Sequence, residues 1–119
     1  MLSMGMFALA SHGSASGADW RYVIGKPRVA QQANFCSTRE SVAEIARIFT
    51  RFGSRTGYAA LSASPDCAIA VRSFTPRALV ASVTIAEGKP GEYALRFVEV
   101  EEGDNKMTYL VTTRDVVSR

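Results

Sequence analysis

Cys36 and Cys67 are the only cysteines in the chain, and their placement limits the fold more than any other feature. Cys36 stands just before a segment with helical periodicity, and Cys67 opens a segment with strand character. An even cysteine count suits an oxidising compartment, where two such residues pair. A bond between them ties the start of a helix to the start of a sheet. The pair forms no Cys-x-x-Cys motif, so a structural disulfide is expected rather than a redox or nucleophilic thiol.

The helix is expected near 38–52. Ser37-Thr38-Arg39-Glu40 matches a capping box, with Ser37 serving the first amides and Glu40 reaching back. Val42, Ile45, Ala46, Phe49 and Phe52 recur at steps of three and four and give one apolar stripe. Gly53 follows as the residue that ends it. Glu40 and Glu44 lie early, while Arg47, Arg51 and Arg55 lie late, each sign matching the helix dipole.

Four β-prone runs come next: Cys67–Phe74, Ala78–Ala86, Glu92–Glu101 and Lys106–Arg114. The segments between them (Thr75-Pro76, Gly88-Lys89-Pro90-Gly91, Gly103-Asp104-Asn105) carry turn chemistry, and short connections favour antiparallel hairpins. Trp20–Ile24 is an additional short edge strand, and Val29–Phe35 is ambiguous. The fold class expected is α+β: a four-stranded antiparallel meander, one amphipathic helix on one face, and one disulfide.

Alternation assigns the faces. Cys67, Ile69 and Val71 are expected to meet the helix, as are Leu79, Ala81, Val83 and Ile85, then Tyr93, Leu95 and Phe97, and finally Met107, Tyr109 and Val111. Val98 and Val100 break that pattern and mark either a bulge or a stretch buried on both sides. The opposite face then carries Arg72, Arg96 and Arg114 with Phe74, Thr108, Leu110 and Thr112. Arginine and threonine dotted with apolar groups suit a partner bearing carboxylates, which guanidinium groups grip in pairs of hydrogen bonds. Arg72, Arg96, Arg114, Thr112 and Phe74 are therefore the candidate partner-binding residues.

The first eighteen residues carry none of the chain's Lys, Arg, Asp or Glu. Met4–Ala10 is a short apolar run, followed by Ser, Gly and Ala residues that include Ser16 and Ala18. That order reads as a signal peptide (1–18) cleaved before Asp19, although the positive charge that usually opens one is missing. A Gly/Ser/Ala-rich cytosolic tail is the competing reading. Residues 19–119 form one α+β domain, and export places the protein in the periplasm or outside the cell.

Several chemistries find no support in the pattern. Removing the leader removes His12, the only histidine, and with it any Ser-His-Asp, Cys-His or imidazole metal site. Gly88-x-x-Gly91 contains Pro90 and reads as a turn, not a phosphate loop. Glu99, Glu101, Glu102 and Asp104 lack EF-hand spacing. No apolar run reaches the length of a membrane span. Net charge is +3, with seven bases against three acids over residues 19–58 and no basic cluster interleaved with aromatics, so nucleic acid is not the expected partner. No cofactor or metal is expected.

The leading expectation is a small periplasmic or secreted protein-interaction module without catalytic activity, such as an inhibitor, an immunity-type protein or an accessory subunit of an envelope complex. Its partner would be another protein with an acidic surface; oligomeric state is left open. One alternative is a cytosolic binder of anionic polymer using Arg47, Arg51, Arg55, Lys26 and Arg28. A second is a small enzyme, which requires a pocket gathering Glu99, Arg72 or Cys36.

Overall fold

The computed structural model describes residues 20–118, so the expected leader and its cleavage point lie outside the described residues. Within them the chain forms β1 (Tyr22–Val23), β2 (Arg28–Cys36), α1 (Arg39–Ala63), β3 (Cys67–Ile85), β4 (Tyr93–Glu102), a 3-10 turn (Gly103–Asn105), β5 (Lys106–Thr112) and β6 (Val116–Val117). Strands β2 to β5 make an antiparallel sheet with α1 packed on one face, and Cys36 and Cys67 are joined by a disulfide. The α+β class is as expected. The membership of the sheet is not.

The ambiguous segment Val29–Phe35 lies within β2, and Cys67–Phe74 and Ala78–Ala86 belong to one long strand. Thr75-Pro76 does not turn the chain. Pro76 is buried within β3 beside register shifts at Pro76/Ala78 and Leu79/Ala81, where a missing N–H costs the ladder little. Its carbonyl accepts a hydrogen bond from Gly25 N–H at 2.8 Å. Around this corner β3 changes partner: residues before it pair with β2, those after it with β4. The sheet therefore curls until β2 meets β5, and the four strands close into a small barrel. Tyr22–Val23 is a strand, but it pairs in parallel with Val116–Val117 outside the sheet.

Curling gives two cores where alternation suggested one. Cys36, Val42, Ile45, Phe49, Leu61, Leu95, Phe97 and Val111 pack between α1 and the sheet. Tyr22, Phe35, Phe74, Val98, Val100 and Leu110 fill the barrel. Val98 and Val100 are thus the inner face of a strand buried on both sides, and the register shifts of this stretch lie opposite them in β3. Phe74 and Leu110, expected outside, are 4 % and 0 % exposed. Ile69 and Val71, expected under the helix, are 66 % and 62 % exposed and belong to neither core.

The helix begins one residue later than expected. Thr38 is the N-cap, accepting from Ser41 N–H at 3.0 Å, while Ser41 Oγ donates back to Thr38 C=O at 2.8 Å. Ser41, not Glu40, is the reciprocal partner. Gly53 does break the helix, at φ 89° and ψ 178°, but a further helical stretch continues to Ala63. Phe52, at the break, is exposed instead of joining the stripe. The second stretch packs back because Gly57 lies on the Phe49 ring, where a β-carbon would overlap it. None of the described helices is long and apolar enough to cross a membrane.

Candidate partner-binding cleft

Strand β4 carries a polar group at each end of the barrel interior, with Val98 and Val100 between. Arg96 and Glu102 are six residues apart, or about 20 Å along a strand. At the Glu102 end, Arg72 Nη1 lies 3.0 Å from Glu102 Oε2, and Thr108 Oγ1 donates to the same oxygen at 2.7 Å. The Arg72 guanidinium also covers the Phe35 ring, 4.8 Å from its centroid. Burial raises the Glu102 pKa, but the hydrogen bonds from Thr108 and Arg72 and the nearby positive charge outweigh it and hold the carboxyl below its ordinary range.

At the Arg96 end, Arg96 pairs with Asp115 at 3.4 Å and sits directly opposite Thr112 on β5. Arg114 N–H donates to Thr112 Oγ1 at 3.0 Å, and the Arg114 guanidinium rests 5.1 Å from both the Trp20 and Tyr22 ring centroids. Of the five residues singled out from sequence, Arg96, Arg114 and Thr112 thus meet at one end, Arg72 is at the other, and Phe74 is in the core between Tyr22 and Phe35.

A cleft of about 310 Å³ opens beside Arg114. It forms where β2 and β5 part. Their ladder pairs Cys36 with Tyr109, Phe35 with Leu110 and Asn34 with Val111, and stops there. Among the described residues, β2 continues beyond it against β3 alone, and β5 against β4 alone. Gln32, Ala33 and Asn34 form one rim, and Val111, Thr112 and Thr113 the other. Leu61 and Leu95 supply an apolar floor; Trp20 and Tyr58 stand as walls. Tyr58 is fixed by a 2.7 Å hydrogen bond between its hydroxyl and that of Tyr93, and by its edge-on contact with Phe49. Burial, then the Tyr93 bond, push its pKa up to about 12, so it stays a neutral donor and acceptor. Arg114 is the single ionic side chain among the described residues lining the cleft.

Trp20, Tyr58, Gln32 and Asn34 were not singled out from sequence. Tyr58 follows the glycine expected to end the helix, and nothing local signals that β2 will close against β5. Several residues of the alternative readings have partners within the chain. Arg47 is engaged by Glu44 (2.6 Å), and Arg51 lies over Phe52. Cys36 is buried in the disulfide, while Glu99 accepts from Tyr109 and faces Arg39 at 3.9 Å. Among the described residues no three His, Cys, Asp or Glu side chains gather as metal ligands.

Comparison with protein-family models, with curated proteins and with solved structures finds no match to this chain. The site itself must carry the functional argument.

Proposed function

We propose that the chain is a small exported protein-interaction module, without catalytic activity of its own, that holds a partner protein at the cleft beside Arg114. The observation that carries this is the cleft's lining: apolar floor, aromatic walls, hydroxyl and amide rims, and one cation. Such a surface offers burial to an apolar side chain and a charge-assisted bond to a carboxylate. Tyr, Trp and Arg are also the side chains that most often dominate binding energy at protein interfaces. Export draws support from the disulfide, a feature favoured in oxidising compartments. An inhibitor, an immunity-type protein and an accessory subunit all fit this description.

Selection of peptides from a display library on the disulfide-intact protein, with Arg114→Glu as the counter-target, tests the proposal. Recovered peptides should share Asp or Glu, lose binding on Arg114→Glu, and lose it again on Trp20→Ala, with near-UV circular dichroism confirming that both variants fold. Equal recovery on folded wild type and variants would overturn it.

A further inference from the structure

Two side-chain amides that line the cleft, those of Gln32 and Asn34, make no hydrogen bond among the described residues. They stand two residues apart on one face of β2, about 7 Å from each other along the strand. Each offers two donors and an acceptor. Across the cleft, the Tyr58 hydroxyl shares one hydrogen bond with Tyr93 and keeps capacity for another. The floor is apolar, with Leu61, Leu95 and Val111 all buried. Trp20 forms a wall. Arg114 lies over its ring, 5.1 Å from the centroid, yet the residue is 58 % exposed, so much of the indole stays open.

We infer that the cleft is a sugar site: one pyranose ring stacks a C–H face on Trp20, and its hydroxyls bond to the amides of Gln32 and Asn34 and to the Tyr58 hydroxyl. The chemistry of the lining selects this class of ligand. A wholly apolar ligand would strip water from the two amides and leave them unpaired, which is unfavourable. A phosphate-bearing ligand needs cations that converge on it, and the described lining has one, Arg114, whose guanidinium already rests on the Trp20 and Tyr22 rings. A pyranose carries hydroxyls around its edge and C–H bonds on its faces, so it meets the amides and the aromatic wall together. At about 310 Å³ the cleft lies at the small end of ligand pockets, and the spacing of the amides brackets one ring. This goes beyond the partner-binding reading and does not rest on it. A peptide and a pyranose would share the same floor and compete.

The probes are the methyl pyranosides of glucose, galactose, mannose and N-acetylglucosamine, titrated at millimolar concentration into the disulfide-intact chain. Binding is followed by NMR at the Trp20 indole N–H and at the side-chain amides of Gln32 and Asn34. At least one pyranoside should shift all three signals to saturation. Acyclic sorbitol, which has the hydroxyls without the ring face, should shift none. Trp20→Ala and Gln32→Ala/Asn34→Ala should each weaken the binding about tenfold, with near-UV circular dichroism confirming that both variants fold. Four pyranosides that leave these signals unmoved, shifts matched by sorbitol, or unchanged binding in the folded variants would each overturn the sugar site. Display peptides that bind where no pyranoside does leave the partner-binding reading standing alone. A pyranoside that binds where no peptide is recovered leaves only the sugar site.

Discussion

The two halves of β2 face β5 in opposite ways. At Phe35 and Cys36 the strand is paired on both edges, bonded through sulfur to Cys67, and followed at once by the Thr38 cap of α1. At Gln31–Ala33 it has one neighbour among the described residues, with a bulge and a cleft beside it. The same strand thus closes the barrel at one end and leaves it open at the other. Covalent and capping chemistry is concentrated at the first end, and among the described residues the second end pairs with β3 alone.

Removing the clamp should have the largest effect. The disulfide spans 31 positions, and the chain-entropy model for a loop of that size gives roughly 3–4 kcal/mol. Cys36→Ala/Cys67→Ala is expected to lose that much stability in urea unfolding, and to abolish the difference in hydrogen exchange between the two halves of β2. Gly57→Ala comes next. The new methyl group overlaps the Phe49 ring, and overpacking of this kind costs about 1–3 kcal/mol. Because Tyr58 and Leu61 follow directly, Gly57→Ala should also weaken peptide binding while leaving Phe35 and Cys36 protected.

Much of the clamped end was legible in the sequence, and little of the open end was. The Val42–Phe49 stripe and the Gly53 break depend on local spacing and the cysteine pair on there being just two cysteines, and each appears in the structure. The cleft depends on β3 passing through Pro76 without turning, on the sheet curling, and on β2 meeting β5. Those events are set by which surfaces bury best over the whole chain. Alternation correctly separated Phe97 from Val98, but it could not show that the face opposite the helix would be enclosed by the barrel itself. For that reason Phe74 and Leu110 looked like surface, and neither Trp20 nor Tyr58 stood out as a binding residue.

Smaller changes sharpen the contrast. Thr38→Ala removes the oxygen that accepts from Ser41 N–H, and a lost N-cap costs about 1 kcal/mol. Its effect should be confined to stability, with the cleft intact. Thr108→Val should act least and in a pH-dependent way. Glu102 has a folded pKa below its ordinary 4.5, so its contribution is fully present above that value and is lost as pH falls through the folded pKa. Thr108→Val takes away one of the bonds responsible. Its destabilisation should therefore be seen at neutral pH and fade in acid, as followed by thermal unfolding across pH.

Native-state hydrogen exchange along β2 reads the difference between the two ends residue by residue. Phe35 and Cys36 amides should exchange only with global unfolding, whereas over Gln31–Ala33 the amides turned toward the cleft should exchange orders of magnitude faster than those turned toward β3. Uniform protection from Gln31 to Cys36 would mean that the edge is already satisfied and would contradict the account.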